Sequence, residues 1–149
     1  NELKENFDIY KENIFNRNSK ILIYFLSIIP FLDLFSKLEI FLYDLDKTVS
    51  VSLFKNLVIT DSNQDNISMH SSSLNFIFKN EFGFDTLTVN ACFDIKHAKY
   101  FSRMAKFFSI GNLNSMGIFV NLLIIININL FKLFFTKLSN VKKQINFNK

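Results

Sequence analysis

The apolar stretch at 117–135, GIFVNLLIIININLFKLFF, limits the possible folds of this chain more than any other segment. It is long enough to cross a bilayer, for which roughly 20 apolar residues suffice. Asn121, Asn127, Asn129 and Lys132 interrupt it, however. A charge at mid-membrane costs on the order of 3 kcal/mol, and each buried amide needs a partner there. A second greasy stretch, ILIYFLSIIPFLDLF at 21–35, is shorter than a span and holds Pro30 and Asp33. Interior readings fit both better: a buried helix at 21–35, and a buried strand running into a helix at 117–135.

Codon chemistry explains part of the grease. The 149 residues include 20 Phe and 19 Asn, but only three Gly, three Ala and one Pro, and Lys outnumbers Arg by 15 to 2. Phe, Ile, Asn and Lys use A/T-rich codons, so an A/T-biased genome, an organelle genome first of all, accounts for the skew. The 49% hydrophobic content then reflects mutational drift as well as burial. Length points to one domain with an extension. The chain opens on Asn rather than Met and shows no charged-then-apolar leader, which reads as a processed or trimmed start. Cys92 is the lone cysteine, excluding an internal disulfide and a cysteine-cluster metal site.

Charge is divided along the chain. Residues 1–45 carry five basic and seven acidic groups, whereas 46–149 carry twelve basic and six acidic ones. After Asp94 there is no acid at all, against nine basic residues. Such a half either meets a polyanion or lies on the positive side of a membrane.

Periodicity supplies the outline. Residues 1–20 read as a polar surface helix, and 21–45 as helical with a break near Pro30, together forming a helical N-terminal extension suited to protein contacts. The β-branched run 48–60 reads as a strand, and DSNQDN at 61–66 as a turn. Strands are expected at 67–70 and 74–79, linked by Ser71, Ser72 and Ser73. A long helix is expected from Asp85 or Thr86 to about Ile110, closed by GNLN at 111–114. On it Lys96, Lys99, Arg103 and Lys106 recur at steps of three, four and three, opposite Ala91, Ala98, Phe101, Met104, Ala105 and Phe108. A strand at 118–129, a helix near 130–139 and a strand at 144–148 complete the layout. It belongs to the α/β (α+β) class, a mixed β-sheet with flanking helices.

Catalytic chemistry finds little footing. His70 lies near Asp65 and the three serines, but no glycine-rich elbow accompanies them. His97, Asp94 and Cys92 are too few and wrongly spaced for zinc. No enzyme, cofactor or metal site is expected. The basic helix face is the stronger signal, since ordinary surfaces mix signs and a row of cations can follow a phosphate backbone.

Residues 56–106 also resemble the small-subunit ribosomal protein eleven family in its bacterial and organellar form. Asn56 to Asp61 match that family's strand ending in Thr-Asp, and Asp65 with Asn66 match its Gly-Asn turn. Ser71, Ser72 and Ser73 fall on Ser-Ser-Ala; Phe78, Lys79 and Asn80 fall on Phe-Lys-Gly. Asn90, Ala91 and Asp94 then meet the Gln, Ala and Glu of its helix. Leu74, Ile77 and Asn80 stand where the family has glycines, and its glycine-rich loop and basic proline-rich tail have no counterpart. The resemblance implies a ribonuclease H-like topology in 46–149 and a structural role in a mitochondrial small ribosomal subunit. Small-subunit RNA at the platform and neighbouring ribosomal proteins would be the partners. RNA contacts are then expected at Lys55, Asn56, Ser71, Ser72, Ser73, Lys79, Asn80, Lys96, Lys99, Arg103, Lys106, Lys142 and Lys143. The alternative is a small single-span accessory subunit of a mitochondrial inner-membrane complex, crossing at 117–135.

Overall fold

A computed structural model of the chain describes residues 2–29, 32–62, 65–121 and 136. Helix α1 (Glu2–Arg17) carries Glu2 and Glu5 in its first turn and Arg17 in its last, matching the helix dipole. It buries Phe7, Tyr10 and Ile14, which share one helical face. Helix α2 (Lys20–Ser27) starts at Ser19, whose Oγ accepts from the Leu22 amide at 3.3 Å. Only Ile23 of α2 is buried. Ile21, Tyr24, Phe25 and Ile28, at 71, 54, 57 and 53% exposure, form an apolar stripe on its outer side.

The sheet has five strands: β1 (Leu38–Leu42), β2 (Lys47–Val51), β3 (Val58–Thr60), β4 (Ile67–Met69) and β5 (Phe93–Ile95). Their order is β3-β2-β1-β4-β5, with β1 and β4 parallel and every other pair antiparallel. The fold is therefore α+β with a mixed sheet. Register sets Leu38 opposite Val51, Ile40 opposite Val49 and Met69 opposite Phe93. Alternation then gathers Leu38, Ile40, Leu42, Val49, Val51, Ile67 and Met69 on one buried face. The other face carries Glu39, Thr48, Ser50, Ser68 and Asp94.

Helices α3 (Ser71–Lys79), α4 (Gly83–Val89) and α5 (Ala98–Ser115) complete the core. α5 lies against β1 and β5 and touches α1 and α4, while α3 packs between α1 and α4. Phe108 sits where these helices meet, with ring centroids 5.3 Å from Phe84, 6.1 Å from Tyr10 and 6.5 Å from Phe78.

Several expected elements differ. The expected strand at 74–79 is helix α3, because Leu74, Ile77 and Phe78 are buried together at helical spacing. The single strand at 48–60 is β2, a turn and β3. The long helix from 85 is instead α4, a turn, β5 and then α5. Ala91, with φ of 50°, breaks it, and Asp94 between Phe93 and Ile95 follows strand alternation. The residues matched to the family's helix start, Asn90, Ala91 and Asp94, accordingly lie in that turn and in β5. GNLN lies inside α5: a Cβ on Gly111 would come 2.9 Å from the Tyr10 hydroxyl, so glycine lets α5 approach α1. α5 stops at Met116. There the Ile118 amide donates to Leu113 O and the Gly117 amide to Asn114 O, with Gly117 left-handed at φ 75°.

The segment 1–45 holds β1, the central strand, besides two helices. Its predicted boundary at 45–46 falls in the β1–β2 turn. Residues 118–121 are not a strand. Val120 is buried and tied to the α1–α2 junction, its amide donating to Asn18 Oδ1 at 2.6 Å and its carbonyl accepting from Ser19 at 2.7 Å. The elements expected beyond 121 lie outside the described residues. No helix among the described residues is long and apolar enough to cross a membrane.

At Gly83 the start of α4 lies close against α3. A Cβ there would lie 2.6 Å from Ile77 Cα and 2.9 Å from Phe76 O. Gly83→Ala is expected to force α3 and α4 apart and cost about 1–3 kcal/mol. Urea denaturation checks this, and an unchanged midpoint would show that the crossing yields freely.

Candidate nucleic-acid interface

The three serines form no loop; Ser71, Ser72 and Ser73 are the first turn of α3. Every amide at that helix start has a partner. The Ser71 N–H donates to Asp44 Oδ1 at 2.7 Å and its hydroxyl to Asp44 Oδ2 at 2.5 Å. The Ser72 N–H donates to His70 Nδ1 at 3.1 Å, with the Ser72 hydroxyl 2.7 Å from the same nitrogen. Ser73 and Leu74 donate to the His70 carbonyl. Asp44, His70 and Ser72 thus assemble the residue types of a hydrolytic triad, with His70 Nε2 3.8 Å from Asp44 Oδ2. No amide in this turn is left free to stabilise an oxyanion, and the Asp44 carboxylate holds the place a phosphate would take. The arrangement is a helix cap carried across from the β1–β2 turn.

Burial pushes the Asp44 carboxyl up. The hydrogen bonds from the Ser71 side chain and backbone, with His70 nearby, more than offset this and hold it below its usual value. A carboxylate with a lowered folded pKa stabilises the fold above its unfolded pKa, and that contribution is lost as pH falls through the folded one. Asp44→Ala is expected to cost about 1–2 kcal/mol at neutral pH, the loss of a cap. The difference from the native chain should begin to narrow below about pH 4 and shrink further as pH falls through the folded pKa, and thermal melts at pH 7 and pH 3 measure both. An equal gap at both pH values would rule out an ionised cap.

The basic face is distributed differently from the sequence pattern. Lys96 lies outside the helix, just past β5, its amide donating to Asn66 O at 3.1 Å and its ammonium paired with Asp65. The hydrogen bond from the Lys96 ammonium is the main cause of the lowered Asp65 pKa. Lys99, Arg103 and Lys106 do share a face of α5, at steps of four and three. Lys99 and Arg103 are exposed and Lys106 is half-buried. α5 contains no acid, and these three cations have no ion pair among the described residues. Arg103 also lines a cleft of about 130 Å³ with Tyr100 from α5, Lys37, Leu38 and Glu39 from the start of β1, and Asn66 and Ile67 from the start of β4. Lys37 is bonded to Glu39 at 2.6 Å, and the Lys99 ammonium stands 4.8 Å from the Tyr100 ring.

The remaining expected residues occupy other places. Lys79, at the end of α3, is bonded to Glu2 at 2.7 Å, and this bond is the first cause of the lowered Glu2 pKa. Asn80 caps the same helix, its Nδ2 donating to Phe76 O at 2.9 Å. Lys55 and Asn56 are exposed in the β2–β3 turn. Lys142 and Lys143 lie outside the described residues. Sequence reasoning missed Lys37 and Tyr100 in the cleft and Asp44 at the cap. Lys37 and Asp44 fall in the segment read as helical extension, and the YDLD turn at 43–46 was the available hint for Asp44.

Family models, curated proteins and solved structures give no match to this chain.

Proposed function

We propose that the chain is a structural protein of a mitochondrial small ribosomal subunit, a divergent relative of the ribosomal protein eleven family that holds small-subunit RNA at the platform. The observation that carries this reading is α5. Three cations stand unpaired among the described residues on an acid-free helix, beside a polar cleft walled by Lys37, Arg103 and Tyr100. Phosphates would displace the counterions of Lys99, Arg103 and Lys106, while Asn66 and Tyr100 offer a polar edge and a ring at the cleft. Lys96 joins this surface readily, since an exposed pair such as Lys96–Asp65 contributes little and can be exchanged for a phosphate. Ser71, Ser72 and Ser73 have no direct part in the reading, because their donors serve the α3 cap. The α+β fold agrees with the class that the family resemblance implies.

Sedimentation of a detergent lysate on a magnesium sucrose gradient tests it. The chain is expected to travel with small-subunit RNA. A chain that stays at the top of the gradient, or that remains with membranes after alkaline extraction, would overturn the reading.

A further inference from the structure

A second surface combines rings and lysines. A groove of about 440 Å³ runs between the helices α1 and α2 and the turn that joins β2 to β3. Its floor is aromatic. Phe15 and Phe54, both in its lining, lie 5.8 Å apart, and Tyr24, outside the lining, meets Phe54 edge-on at 5.7 Å and 88°. Phe54 is 37% exposed and Tyr24 54%. The rim is basic, with Lys11 and Lys20 on the helix side and Lys55 on the turn, next to the Asn56 amide.

Charge decides what such a groove would hold. Lys11 is occupied, paired with Asp8 at 2.8 Å and donating to the Lys55 carbonyl at 3.3 Å. Lys20 stands 5.2 Å from the Phe15 ring, and neither it nor Lys55 has an ion pair among the described residues. Asp8 and Glu12 also line the groove, whose three lysines exceed its acids by one. An apolar peptide would use the rings and leave the lysines idle. An RNA duplex would use the lysines, but its bases are stacked on one another and cannot reach Phe54. A single strand uses both, because an unpaired base offers a flat face and its flanking phosphates offer charge. The volume also falls within the roughly 300–1,000 Å³ range of small-ligand pockets.

We infer that this groove receives an unpaired base of single-stranded RNA. The base stacks on Phe54, Lys20 and Lys55 hold the neighbouring phosphates, and Asn56 and Glu12 face the base edge. The site is separate from the α5 face and rests on the RNA-binding reading only for its class of ligand.

The chain contains no Trp, so Phe54→Trp supplies a single fluorescent reporter. Titrating the full-length Phe54→Trp chain with a short single-stranded RNA is expected to quench it saturably, while the same sequence as a duplex leaves it unchanged. Phe54→Leu keeps the apolar contact with Phe15 and loses the stacking face, so single-strand affinity should fall about tenfold. Lys20→Ala with Lys55→Ala should flatten the logarithmic salt dependence by about 1.4, two single-strand phosphate contacts. Equal quenching by duplex, quenching by an apolar peptide in place of RNA, or native affinity in folded Phe54→Leu would overturn the inference. If the groove fails while the native chain still sediments with small-subunit RNA, the fault lies with the groove alone.

Discussion

Reversing Lys99 and Arg103 to glutamate is expected to remove the chain from the small-subunit peak of a magnesium gradient while leaving its unfolding transition in place. Both side chains are exposed, and the opposite side of α5 holds the core residues Met104, Ala105 and Phe108. The charges can therefore change without disturbing the packing. Each phosphate contact adds about one to the slope of log affinity against log salt, so losing two flattens it by about two. The new carboxylates also repel the backbone they face, which lowers affinity further at every salt concentration. A variant that is folded, sediments normally and keeps the native salt slope would show that α5 is a solvated surface and nothing more.

The largest stability change should come from Phe108→Ala. Phe108 is 1% exposed, and its ring joins Tyr10 of α1, Phe78 of α3, Phe84 of α4 and Phe107 of α5. Removing a ring of this size from a closed core costs about 3–5 kcal/mol, against a total stability of roughly 5–15 kcal/mol for a domain. The midpoint of urea unfolding should fall steeply, and much of the chain should be unfolded at physiological temperature. Phe76→Ala is the comparison, since Phe76 is 40% exposed on α3 and its loss should be small. Similar midpoints for the two variants would mean that the aromatic cluster is not the centre of the fold.

How much of this was legible in the sequence varies by segment. The helix at the N-terminus and the mixed α+β class follow from spacing and pattern. So does the shared face of Lys99, Arg103 and Lys106. The segment 74–79 was ambiguous, because Leu74, Phe76 and Phe78 alternate while Leu74, Ile77 and Phe78 repeat at three and four. What decides it is a cap that includes Asp44, 27 residues away from Ser71, and no local pattern shows that. β1 was hidden by its greasy neighbour, since only Ser36 and Lys37 separate LEIFL from 21–35. The break between α4 and α5 was hidden for another reason. With only three glycines available, left-handed turns fall on Asp33, Phe35, Asp46 and Ala91 instead. An alanine at such a position gives no signal in the sequence. A composition rich in Phe and Asn and poor in Gly and Pro lacks much of the punctuation that marks element ends.

The outer stripe of α2 has a consequence for the life of the molecule before it reaches its site of use. Ile21, Tyr24, Phe25 and Ile28 present hydrocarbon to water on a helix that buries only Ile23 beneath it. Exposed hydrocarbon of this kind is what chaperones hold and proteases remove. Were a partner to cover the stripe, copies made in excess of that partner would be short-lived, and the amount of this chain in a cell would follow the partner's supply rather than its own rate of synthesis.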